Sequence, residues 1–149
     1  MAEVFTKEVK IRFGNCDPAG IVYHPQYYYI LNFMMEEFLD ECIGMRFVEK
    51  SRRIGLPVAG IRTEFVETAT VGDVLECRIW IENLGEKSVR FAMTLADKKT
   101  GALKVKCVQT CIFVTMTNKL ESVQIPEDLR SRFEEYLKDE DAPDLTFRT

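Results

Sequence analysis

The run Tyr27-Tyr28-Tyr29-Ile30-Leu31-Asn32-Phe33-Met34-Met35 constrains this chain more than any other stretch. Pro25 suits a first helical position, where its missing N–H would be unpaired anyway, and the spacing predicts a helix over Gln26 to Ile43 ended by Gly44. The first turns of that helix are apolar on nearly every side, and acids enter only at Glu36, Glu37, Asp40 and Glu41. A helix apolar all round has to be enclosed. The rest of the chain must therefore supply a wrapping.

Strands are the available material. Val58 to Val66, Val74 to Asn83, Ser88 to Asp97 and Leu103 to Thr115 alternate with the two-residue period of strands: Leu75, Cys77, Ile79 and Ile81 share one face, and Val89, Phe91, Met93 and Leu95 another. Short connections at Leu84-Gly85-Glu86 and Lys98-Lys99-Thr100-Gly101 predict an antiparallel meander for the last three. Phe5 to Phe13 reads as a further half-buried strand, Pro126 opens a short helix to about Leu137, and a polar tail expected to fray begins at about 138. At 149 residues this is a single domain, 1–149, of the α+β class, with one sheet curled around one helix.

Charge and cysteine usage narrow the function. With 24 acids against 20 bases the net charge is -4, which argues against a nucleic-acid partner. Five cysteines, Cys16, Cys42, Cys77, Cys107 and Cys111, form no Cys-x-x-Cys pair and read as reduced, mostly buried small hydrophobes, so neither a disulfide framework nor a metal site is expected. No apolar run approaches the roughly 18 residues of a membrane span, and Met1 to Lys7 lacks a secretory pattern. A cytoplasmic protein without a membrane partner is the expectation.

The segment before the helix concentrates the chemistry. Asp17-Pro18-Ala19-Gly20 has the residues of a type I turn, and His24, the only histidine, stands just before Pro25. Each has a structural explanation alone, Asp17 as a turn residue and His24 as a helix-start or half-buried side chain. Together they place a carboxylate and an imidazole beside unpaired helix N–H groups, which can bind a developing oxyanion. That is the outline of a hydrolytic site.

The same residues carry a resemblance. Arg12 to Tyr28, RFGNCDPAGIVYHPQYY, resembles the signature of the 4-hydroxybenzoyl-CoA thioesterase family of hot-dog proteins, and the likeness continues through Gly60 to Val89 and Cys107 to Val114. It implies the hot-dog fold: one long central helix wrapped by a curled antiparallel sheet of five or six strands. It implies Asp17 as the catalytic carboxylate and His24 as the second catalytic position, through the main-chain N–H that polarises the thioester carbonyl. The His24 side chain is similar to that at the helix start of short-chain acyl-CoA thioesterases. Substrate contacts are implied for Tyr23, Asn32 and Thr63, with Lys87, Ser88, Arg90 and Arg62 as candidates for the phosphates of coenzyme A. No cofactor is implied, coenzyme A being part of the substrate. Two departures stand out: Asn15 is neutral where many relatives have an acid, and Asn32 replaces the carboxylate of hydroxybenzoyl-specific members, which argues against strict 4-hydroxybenzoyl specificity.

The resemblance thus implies an acyl-CoA thioesterase for a small aryl or short-chain acyl group, with Asp17 as nucleophile or general base, assembled as a homodimer or homotetramer. A hot-dog dehydratase or hydratase is the alternative from the lyase class, disfavoured because six residues separate Asp17 from His24. A non-catalytic acyl-thioester binding module is the third reading.

Overall fold

The computed structural model describes residues 2–140 and 145–148. The chain runs β1 (Phe5–Lys10), α1 (His24–Phe38), β2 (Val48–Glu49), β3 (Ile54–Gly55), β4 (Val58–Phe65), β5 (Val74–Leu84), β6 (Ser88–Asp97), β7 (Leu103–Ile112), β8 (Val114–Met116), β9 (Leu120–Ser122) and α2 (Glu127–Glu134). A five-stranded antiparallel sheet has the order β1-β5-β6-β7-β4, so the expected meander β5-β6-β7 forms its middle. The tiny strands β2, β3, β8 and β9 make a second sheet that the sequence pattern did not announce.

The core lies between the main sheet and α1. Leu75, Cys77, Ile79 and Ile81 of β5 and Val89, Phe91, Met93 and Leu95 of β6 are buried there, as their alternation predicts. Phe38 sits at the centre, its ring 5.0 Å from Tyr136, 5.5 Å from Phe5 and 6.3 Å from Phe91. Such tilted and edge-on pairs suit the ring quadrupole.

Boundaries differ from expectation where backbone groups found other partners. The first strand stops at Lys10 because Ile11 turns to the 72–73 turn, donating to the Asp73 carbonyl at 2.8 Å and accepting from Gly72 at 2.8 Å. The long strand expected to reach Thr115 breaks at buried Phe113, whose N–H donates to the Lys87 carbonyl and whose carbonyl accepts from Val123. The helix starts at His24, ahead of the expected Gln26, and after Phe38 continues as one π-helical turn, Leu39–Ile43. Gly44 ends it with φ +81, and the Arg132 guanidinium donates to the Ile43 carbonyl at 2.7 Å. That left-handed backbone is what selects glycine here; a Cβ would in addition sit 2.1 Å from Arg132 Nη1 and push the guanidinium off its carbonyl.

One expectation is overturned. The first half of α1 is not enclosed on all sides: Tyr27, Ile30, Leu31, Met34, Met35 and Phe38 face the sheet, but Tyr29 and Phe33 remain 59% and 58% exposed. The aromatic residues between the core positions form an outward face, so within one chain this helix is amphipathic in packing although not in composition. Among the described residues no helix is long and apolar enough to cross a membrane.

Candidate active site

The stretch 15–24 is a small hairpin fixed on both flanks. The Gly20 N–H donates to the Asp17 carbonyl at 2.9 Å, closing the expected turn, and Gly20 adopts φ +80. The Asp17 N–H donates to the Ile21 carbonyl at 2.9 Å, and Cys16 bridges to Val22. On one flank Val22 donates to the Ala69 carbonyl at 3.0 Å and Val71 to the Gly20 carbonyl at 3.1 Å. On the other, the Tyr23 N–H donates to the Asn15 carbonyl at 3.0 Å. The Asn15 side chain accepts from the Arg12 N–H at 2.9 Å and donates to Gln26 Oε1 at 3.3 Å, which ties the hairpin to the first turn of α1.

The hairpin holds Asp17 half-buried, with Oδ1 accepting the Ala19 N–H at 2.8 Å. Its other oxygen accepts no hydrogen bond among the described residues. The His24 main-chain N–H, first in α1, likewise donates to no acceptor among them, because Tyr23 before it is extended and no helical turn precedes it to offer a carbonyl. A free carboxylate oxygen and a free helix-start donor thus belong to one rigid hairpin-to-helix junction. The helix dipole adds positive potential at that donor.

Aromatic rings line the neighbouring surface. The His24 ring lies 5.5 Å from Tyr23 and 6.0 Å from Phe65, and Phe65 in turn lies 5.6 Å from Tyr27 and 6.3 Å from Tyr28. Phe65 stands on β4 in line with Thr63, whose hydroxyl donates to the Cys107 sulfur at 3.5 Å. The Tyr27 hydroxyl accepts the Ala69 N–H at 3.3 Å, and burial pushes its pKa up, so it serves as a neutral prop behind the Phe65 ring.

The residues anticipated from sequence fall into separate groups. Asp17, Tyr23 and His24 gather at the junction, whereas Thr63 stands on β4 two residues before Phe65, the ring that meets His24, and is tied instead to Cys107. Asn32 shares a stripe of α1 with His24 and Tyr28, four residues apart each time, and donates to Glu36 at 3.3 Å. Arg62 and Arg90 face the other way, on the outer side of the sheet, where their β-partners are Val108 and Thr110. Lys87 and Ser88 stand at the β5–β6 turn. Phe65, Tyr28 and Gln26 are not among the site residues the sequence points to; the alternation that turns Thr63 toward Cys107 also carries Phe65, and nothing local marks Gln26.

No group of three His, Cys, Asp or Glu set to hold a metal ion occurs among the described residues. Burial pushes the thiols of Cys77 and Cys111 up to about 12 and about 11, which makes them inert packing groups.

Residues 11–133 match the thioesterase-like superfamily. The chain is 34% identical over 136 residues to the 4-hydroxybenzoyl-CoA thioesterase of Pseudomonas sp. (strain CBS-3), covering 86% of this chain and 96% of that one. Among solved structures, the D17N mutant of a 4-hydroxybenzoyl-CoA thioesterase complexed with 4-hydroxybenzoyl-CoA superposes with a TM-score of 0.78 at 26% identity, covering 87% of this chain and 98% of that one. Slr0204, a 1,4-dihydroxy-2-naphthoyl-CoA thioesterase from Synechocystis, superposes with a TM-score of 0.80 over 95% of this chain and 100% of that one, at 17% identity. That match speaks for the fold alone.

Proposed function

The chain belongs to the thioesterase-like superfamily, and from that premise we propose that it is an acyl-CoA thioesterase that hydrolyses a small aryl or short-chain acyl-CoA to the free acid and coenzyme A. One observation carries the site assignment: the hairpin that holds Asp17 ends on the His24 N–H, a donor with no acceptor among the described residues. A thioester carbonyl placed there gains a hydrogen bond that strengthens as its oxygen becomes an oxyanion. Asp17 then either attacks the carbonyl carbon, giving an acyl-enzyme anhydride that water opens, or takes a proton from the attacking water. In both routes the C–S bond breaks and the thiolate leaves with the electron pair. The chemistry needs no cofactor beyond the coenzyme A of the substrate.

The rings of Tyr23, His24, Tyr28 and Phe65 favour the aryl end of this range, since a flat acyl group can stack or meet ring edges there. Asn32, along the same helix stripe, is a neutral partner for a ring substituent. The exposed β4 edge and the outward Tyr29 and Phe33 support a second subunit that covers them, hence a homodimer or tetramer. Release of free thiol from a panel of aryl- and short-chain acyl-CoAs tests the activity, with the aryl esters expected to turn over fastest. Turnover of none of them would refute this reading and leave the lyase and binding-module alternatives. Light scattering tests the assembly, and a monomer at micromolar concentration would count against it.

A further inference from the structure

The outer face of the main sheet is partly covered by the chain itself. Its register sets outward rows: Arg78, Thr94, Lys106 and Glu64; then Trp80, Ala92, Val108 and Arg62; then Arg90 and Thr110. Trp80, the only tryptophan, faces away from α1 yet is 2% exposed, and Leu145 lines the same groove. Phe147 packs under the Arg62 guanidinium at 4.9 Å and the Lys106 ammonium at 5.4 Å. Arg62 donates to the Arg148 carbonyl at 3.0 Å, and Lys106 donates to the Thr146 carbonyl. Arg148 reaches Glu64 through its main-chain N–H at 2.7 Å and its Nε at 3.0 Å. Segment 145–148 therefore lies as a strap from Trp80 toward the β4 edge.

The charges under the strap are unevenly matched. Glu64 serves Lys106 and Arg148, and Glu82 is engaged by Lys138 and by the Trp80 indole N–H. Arg62 and Arg90 have no carboxylate partner among the described residues: Arg62 has a carbonyl and a ring face, and Arg90 only the Thr110 hydroxyl at 3.4 Å. Both line a groove of about 470 Å3 with Val108, Thr110, Glu82 and Phe147. Guanidinium groups on one groove suit a phosphate, which accepts charged hydrogen bonds in pairs. The strap offers weaker acceptors at an exposed surface.

We infer that this groove takes a phosphate group and that segment 145–148 is its intramolecular competitor. A phosphate drawn to Arg62 and Arg90 takes Arg62 from the Arg148 carbonyl and the Phe147 ring, releases the strap and uncovers Trp80. The inference rests on the proposed function for the source of the phosphate, the nucleotide end of a CoA thioester; inorganic phosphate offers the same chemistry. If strap and ligand exclude one another, removing either must strengthen the other's hold by the same factor.

Acrylamide quenching of the single tryptophan reads strap position directly. The full chain, a chain ending at Glu140, and full-length Phe147→Ala would each be titrated with coenzyme A and, separately, with inorganic phosphate. Coenzyme A is expected to raise quenching in the full chain. The shortened chain should start at the raised level and bind coenzyme A several-fold more tightly, with Phe147→Ala shifted in the same sense. Replacing Arg62 and Arg90 together by alanine should abolish the response. A response to both probes assigns the groove to phosphate in general, and a response to coenzyme A alone assigns it to the nucleotide end. No response to either, or unchanged quenching and affinity in both strap variants, overturns the inference. The readout needs no turnover, so hydrolysis without this response refutes the strap alone, and the response without hydrolysis refutes the thioesterase reading alone.

Discussion

The donor on which the proposed chemistry depends can be deleted by itself. Proline at position 24 removes the main-chain N–H, and the backbone is already shaped to accept it: His24 is the first residue of α1, where proline is favoured, and Tyr23 before it has φ -69 and ψ 121, the region a residue preceding proline adopts. No protein hydrogen bond is lost, since that N–H has no acceptor among the described residues. His24→Ala removes the same imidazole but keeps the donor, so the ratio of the two variants isolates a single N–H. Loss of one oxyanion donor costs on the order of 10²–10³ in kcat, about 2.7–4 kcal/mol. The assay is thiol release from the best CoA thioester by the unaltered chain, His24→Ala and His24→Pro, with melting temperatures measured alongside. His24→Pro should fall on the order of 10²–10³ below His24→Ala in kcat, with KM and melting little changed. Equal activity of the two variants, both folded, would show that the helix-start N–H plays no part in stabilising the oxyanion.

Asp17→Asn keeps the oxygen that accepts the Ala19 N–H, so the turn should persist and the melting temperature hold while turnover drops on the order of 10²–10⁴; full activity would return Asp17 to a turn residue. Phe38→Ala empties the meeting point of Phe5, Phe91 and Tyr136 and should cost about 3–5 kcal/mol in urea unfolding, a loss under about 1 kcal/mol being the result against it. Arg52 hydrogen-bonds Asp128 and holds its carboxyl down to about 2, below the ordinary 3.8, so the pair's contribution is present above 3.8 and is lost as pH falls through about 2. The melting difference between the unaltered chain and Asp128→Asn, small because both groups are exposed, should close over that window, and a gap that does not change with pH would contradict the assignment.

How much of this could be read from residues depended on whether the determining interaction was local. The β5-β6-β7 meander was legible because alternation and Gly-bearing turns are local signals, and Ser88–Asp97 has the bounds its pattern predicts. The Asp17 turn was legible for the same reason. The break at Phe113 was not, because it is made by Lys87 and Val123, which no window around Phe113 contains. The exposed Tyr29 and Phe33 misled because composition reports how apolar a helix is, whereas its surroundings decide which face is covered. In the site, Asp17 and His24 stand in one short motif, but Phe65 reaches His24 only through the pairing of β4 with β7.

The cap on the central helix has a consequence in time. The Ile43 carbonyl is met by Arg132, 89 residues further along the chain. At synthesis rates of about 5–20 residues per second, the end of this early helix waits roughly 5–20 seconds for the late helix that completes it. The sheet obeys a similar delay, because β1 finds its partner only after β5 has been made. Until then the nascent chain carries the apolar stripe of α1 without its cover, and exposed apolar surface of that kind invites chaperones and aggregation. The order of manufacture therefore makes a sequence that is compact when finished dependent on protection while it is unfinished.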